Sequence, residues 1–110
     1  MRAKSSRTIV ASLALVAAAL VAAGDGHAAD ASVTIDGFAF KPDVVTVRAG
    51  ATIVWRNTDP VPHTATAKDA GLDSGEIPAN GSYRFVARKK GRFTYICTLH
   101  PVMRGTLIVE

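Results

Sequence analysis

The sequence holds one cysteine, Cys97, in 110 residues. No intrachain disulfide can form, so the fold is not a disulfide scaffold. Excess charge of one sign is also scarce. Thirteen basic and nine acidic residues leave +4, too mild and too scattered for a nucleic-acid binder. After residue 30 no stretch keeps a helical period, and there is no internal repeat, low-complexity tract, or Met- or His-rich run. The length fits one domain and leaves no room for a multi-domain enzyme.

What is present begins with a leader. Arg2, Lys4 and Arg7 form a basic start, and Ile9 to Ala23 is a 15-residue apolar run broken only by Ser12. Small residues follow, with Ala28, Ala29 and Ala31 as possible cleavage points. This is the pattern of a secretory signal peptide. The run is short for a membrane span, which needs about 20 apolar residues. No cysteine lies near the cleavage region to carry a lipid anchor, and the absence of Arg-Arg favours the general export route. Residues 1–31 are therefore expected to be a signal peptide, cleaved somewhere in 28–31. Residues 32–110 are expected to form the mature domain, with no membrane attachment after processing.

That domain reads as all-β. Val33 and Ile35 alternate with polar residues, as do Val45 and Val47, then Ile53 and Trp55. Tyr83, Phe85 and Ala87, then Phe93, Tyr95 and Cys97, then Leu107 and Val109 continue the pattern. Period two with β-branched and aromatic residues means half-buried strands. Ala49-Gly50, Asp59-Pro60, Asn80-Gly81 and Lys90-Gly91 supply turns; Asn80-Gly81 is read as a hairpin turn rather than a glycosylation acceptor. Strands so spaced predict a Greek-key β-sandwich. If Cys97 ends its strand at one pole, strand direction brings the loop carrying His63 to that pole too. Trp55, Phe85 and Phe93 are expected in the core.

Cleavage after Ala28 would remove Met1 and His27, leaving one Cys, one Met and two His in the mature chain. All four fall into one cluster. Cys97, His100 and Met103 recur at a spacing of three after a strand, and His63 converges on them. A lone Cys, Met or His is usually a structural residue. Gathering every such side chain at one pole reverses that expectation, and an unpaired Cys in an exported protein calls for a reason. Two imidazoles, a thiolate and a weak thioether are the ligands of a type 1, blue copper centre, cycling between Cu(II) and Cu(I). With two His, no second metal cluster is possible, which argues against an enzyme. Two other functions compete. Copper sequestration or delivery would favour Met- or His-rich tracts, which are missing, and an adhesion-like sandwich would not need the ligand cluster.

At this point the chain resembles a family, the cupredoxins, and within it the amicyanin group. The resemblance covers residues 32–110. It includes Phe38-Ala39-Phe40-Lys41-Pro42, the run from Ala49 to Asn57, Pro62-His63-Thr64, the Cys97–Met103 loop and Gly105 to Val109. It implies about eight strands in a Greek-key sandwich and electron transfer in the periplasm. It also implies that the His100 edge surfaces within an apolar patch. Leu99, Pro101, Val102, Pro60, Val61, Ile77 and Pro78 are candidates for that patch. Redox partner proteins would then dock near His100, Pro101 and Val102, with the carrier a monomer. Two residues depart from the family. Thr64 stands where many members have Asn tying the ligand loops together, and its hydroxyl can make a similar bond with one fewer donor. Leu99 replaces a Pro and frees the loop between Cys97 and His100. The basic residues Arg84, Arg88, Lys89, Lys90 and Arg92 are read as a solvated face around a turn far from Cys97.

Overall fold

The computed structural model describes residues 29–110; the expected signal peptide as far as Ala28 lies outside them. The alternating stretches form nine strands among these residues: β1 (Ala31–Ile35), β2 (Phe40–Lys41), β3 (Val44–Val47), β4 (Ala51–Asn57), β5 (Thr66–Ala67), β6 (Leu72–Asp73), β7 (Ser82–Ala87), β8 (Gly91–Cys97) and β9 (His100–Val109). Two sheets result, in the orders β2-β1-β4-β7 and β3-β9-β8-β5-β6. β1 runs parallel to β4 and β3 parallel to β9, pairings a tight hairpin cannot make. They arise because the chain passes between the sheets after β2, β3, β4, β6 and β7. This is a Greek-key β-sandwich, all-β as expected.

The period-two sets point inward. Val33, Ile35, Ile53 and Trp55 from one sheet face Val45, Val47, Phe93, Tyr95, Leu107 and Val109 from the other, and all are buried. Phe85 differs from expectation. Its strand β7 is a sheet edge, so the ring is only half-buried and leans on Trp55, with centroids 6.4 Å apart. The Asn80-Gly81 reading is also corrected. Gly81 N–H donates to the Pro78 carbonyl at 2.8 Å, and Asn80 has φ 66°. The positive φ at the third residue marks a type II turn leading into β7, not a hairpin between paired strands. A short 3-10 turn, Lys68–Ala70, interrupts the all-β pattern between β5 and β6.

The centre of the sandwich is aromatic. Tyr95 meets Phe40 at 4.6 Å and Trp55 at 5.4 Å between ring centroids. Its partner across the ladder is Gly105, and any Cβ there would run into the tyrosine ring, so only glycine fits. Tyr95 is fully buried. Burial pushes its hydroxyl up to about 12, against a weaker pull from Trp55 and with a small push from Asp43. Trp55 Nε1 nonetheless stands outside hydrogen-bonding geometry. The unfolded chain ionises this tyrosine near pH ~10, the folded chain only near 12. The stability Tyr95 contributes is therefore complete below pH ~10 and lost as pH rises through 12, by about 2–3 kcal/mol. Denaturant unfolding at pH 9 and 11.5 should show this loss, and Tyr95→Phe should remove most of it. An equal alkaline loss in the variant would contradict it.

The topology sets two poles. β4 ends at Asn57 and β8 at Cys97, and the segments leaving them meet, since Thr64 N–H points at Cys97 Sγ from 3.3 Å. Gly50 N–H bonds the Ala87 carbonyl at the other end, where Gly91 also pairs with Val109. Arg88, Lys89 and Lys90 are exposed at that far end.

Candidate metal centre

The site is assembled from three segments that are remote in sequence. The first leaves β4. Asn57 is a buried amide: its Nδ2 donates to the Val61 carbonyl at 2.8 Å and the Ile77 carbonyl at 3.0 Å. Its Oδ1 accepts Asp59 N–H at 2.9 Å. One side chain thus satisfies the loop's backbone groups and folds residues 57–63 back over the end of the sandwich. His63 then pairs with Ile77 by two backbone bonds, of 3.1 and 2.7 Å.

The second segment is the turn between β8 and β9. The ladder pairs Ile96 with Arg104, then breaks register so that Cys97 pairs with His100. In an unbroken ladder Cys97 would face Met103. The irregularity makes an excursion of the turn through Thr98 and Leu99 that brings His100 back beside the thiol. Cys97 is fully buried and Met103 nearly so, while His100 is half-buried.

His63, Cys97 and His100 each present one donor atom, and the three lie within 4.8 Å of one another. Cys97 Sγ is 3.7 Å from His63 Nδ1 and 3.9 Å from His100 Nδ1. First-row metal bonds of about 2.0 Å to nitrogen and 2.3 Å to sulfur, at 120°, would hold N and S about 3.7 Å apart. The observed spacings fit a single ion between the donors. Nδ1 of His63 is left available because its Nε2 pairs with Asp59 Oδ2 at 2.8 Å. An Nε2–H donated to a carboxylate fixes the tautomer and turns the lone pair of Nδ1 inward.

Thr64 joins the two ligand segments. Its Oγ1 accepts Thr98 N–H at 2.8 Å and contacts Thr98 Oγ1 at 3.2 Å, and its own N–H points at Cys97 Sγ. The hydroxyl spans the gap the sequence assigned to it.

The third segment was missed by sequence reasoning. The β1–β2 hairpin places Phe38 against both imidazoles: its ring centroid is 4.9 Å from that of His63 and 4.8 Å from that of His100, at 83° and 82°. Asp59 was read as a turn residue, and it is buried. Burial works to raise its carboxyl. The backbone N–H groups of Phe38 and Gly37, with His63, outweigh this and hold it below the usual carboxylate value. The available signals were an acidic residue four before a ligand His and a lone aromatic after Asp-Gly. Of the expected apolar patch, Leu99, Pro101, Val102, Pro60 and Pro78 are exposed and Val61 is half-buried. Ile77 is not part of it: at 2% exposure it faces the core, because pairing with His63 turns it inward.

Comparison with known proteins agrees with this picture. Residues 8–109 match the family described as cupredoxin-like domain. Amicyanin-alpha of Methylorubrum extorquens is 31% identical over 105 residues, covering 91% of this chain and 88% of that protein. The crystal structure of amicyanin from Paracoccus versutus superposes with a TM-score of 0.67 at 32% identity, over 77% of this chain and 86% of that one. A copper-containing nitrite reductase of Thermus scotoductus also superposes, with a TM-score of 0.71 at 25% identity, over 84% of this chain but 25% of that one. Fold, ligand spacing and relatives converge: the chain belongs to the cupredoxin-like family and, within it, is most like the amicyanins.

Proposed function

We propose that this protein is a soluble periplasmic electron carrier with one type 1 copper centre held by His63, Cys97, His100 and Met103. The carrying observation is the pair of Sγ–Nδ1 spacings, 3.7 and 3.9 Å, at one buried thiol. Bound copper supplies one-electron chemistry, alternating between Cu(II) and Cu(I). The chain's part is to keep the donors still. Asp59 holds His63, and Thr64 ties His63's segment to the Cys97 turn and directs an N–H at sulfur. Donors that need not move suit outer-sphere transfer, in which no bond is made or broken. Met103, buried at 2% exposure on β9, would supply a thioether sulfur as the fourth, weaker donor.

His100 is the ligand with an exposed edge, ringed by exposed Leu99, Pro101 and Val102. A small apolar surface suits a transient redox encounter, and a monomer that dissociates quickly. The protein is not an enzyme in this reading, since its two mature-chain histidines serve one metal and none remains for a second centre. The apolar leader directs export. Cleavage after Ala28 or Ala29 would keep Asp30, whose backbone and carboxylate both bond Thr52 at 2.8 Å. No helix among the described residues is long and apolar enough to cross a membrane.

The test is the visible spectrum of the processed protein after Cu(II) addition, followed by voltammetry. An intense thiolate-to-copper band and a reversible one-electron couple are expected, with a mass matching a start at Ala29 or Asp30. A colourless protein would refute the copper reading, and an intact Met1 the processing.

A further inference from the structure

The β1–β2 hairpin is a two-residue turn. Thr34 pairs with Lys41 and Ile35 with Phe40, Asp36 N–H bonds the Ala39 carbonyl at 3.0 Å, and Gly37 and Phe38 form the tip. Both tip residues have positive φ, 63° and 60°. Such a type I′ turn strongly prefers Gly, Asn or Asp at both positions. Gly37 meets that preference and Phe38 violates it. A bulky side chain in the left-handed region is a genuine outlier and strains the backbone. Nor does Phe38 gain by filling the core, because it is 47% exposed. A residue that is unfavourable on both counts asks for a function.

Its contacts suggest which. Phe38 meets the two imidazoles edge-on, and these meet each other at 5.3 Å, so the three rings form a closed triangle. Edge-to-face pairs are attractive beyond the area they bury and fix the planes of both partners. The tip is pinned from beneath. Asp59 Oδ1 accepts Gly37 N–H at 2.7 Å, and Oδ2 accepts Phe38 N–H at 2.8 Å while also holding His63 Nε2 at 2.8 Å. One buried carboxylate therefore anchors both the aromatic ring and a histidine that it touches.

The geometry points to Phe38 as a positioning residue, an aromatic strut that stands between solvent and the two histidines and sets their ring planes independently of the metal. This rests on the reading of His63 and His100 as copper ligands. His100, on the excursion loosened by Leu99, gains most from the strut, because no hydrogen bond to its outer nitrogen occurs among the described residues.

Phe38→Gly separates strut from fold, since glycine suits the backbone at this position. The metal-free variant should stay folded with a cooperative transition, because relief of the backbone strain offsets much of the ring contact it loses. Its His100 ring proton signals should broaden or multiply in NMR spectra. Its Cu(II) should pass to EDTA at least tenfold faster, with an altered electron paramagnetic resonance spectrum. Phe38→Tyr keeps the ring and should retain wild-type values; Phe38→Asn also suits the backbone and should behave as the glycine variant does. Wild-type copper release with an unchanged spectrum in Phe38→Gly would overturn the proposal, as would equal damage in Phe38→Tyr. If wild type itself shows no blue band, the copper reading has failed. If wild type is blue and the glycine variant matches it, only the strut has failed.

Discussion

Cys97→Ser should abolish the visible thiolate-to-copper band while leaving the sandwich folded. The band needs electron density moving from sulfur to Cu(II), and a serine hydroxyl is a poorer, harder donor that stays protonated near neutral pH. The thiol is the shared vertex of the site, with both Nδ1 atoms within 3.9 Å and Thr64 N–H aimed at it from 3.3 Å. Serine is close to cysteine in size, so packing around the fully buried position survives. The added burial of a hydroxyl costs about 1–3 kcal/mol, less the part returned by its bond to Thr64. Far-ultraviolet dichroism should match wild type and copper titration should give no intense band. Residual blue colour would remove Cys97 from the ligand set.

Asp59→Ala should give the second large effect, this time on the fold around the site. Three hydrogen bonds of 2.7–2.8 Å end on this carboxylate, two from backbone N–H groups and one from His63. Bonds to a charged group are worth about 1.5–3 kcal/mol, and donors left unpaired add to the loss. The metal-free variant should therefore lose about 2–4 kcal/mol of stability at pH 7. The sign of the pH effect follows from the lowered carboxyl. The unfolded chain takes up the proton first as acid is added. The stability Asp59 contributes is thus present above the ordinary carboxylate value and is lost as pH falls through the folded one. Wild type should weaken between pH 5 and pH ~3, and Asp59→Ala should weaken less over that range. A loss below about 0.5 kcal/mol at pH 7 would show that the carboxylate does not hold the hairpin tip and His63.

The contrast between Asp59 and Cys97 shows how far the sequence could be read. Cys97, His100 and Met103 announce themselves because a loop leaving a strand keeps local spacing, and soft donors at that spacing have few other uses. His63 could be added because strand direction, counted from period-two patterns, carried its loop to the same pole. Phe38 and Asp59 carry no such mark. Each lies in a turn, where aspartate and a stray aromatic are ordinary; the two meet across 21 residues of chain, and only the Asp59–His63 bond, four residues apart, is local. Ile77 went the other way. Its position near the pole was right, and two backbone bonds to His63 turned it from the patch into the core.

What the sequence determined by itself was whatever depends on neighbours along the chain. That covers the inward faces of the strands, the all-β class and the spacing of the candidate donors Cys97 and His100. Periodicity and spacing are local, so they are visible before folding. The tertiary structure alone decided what depends on neighbours that only folding brings together. It put Asp59 beneath a distant hairpin, Phe38 against two histidines and Tyr95 over Gly105. Such contacts are set by the passage of strands from sheet to sheet and by close packing, and no local pattern in the chain encodes which loop will meet which.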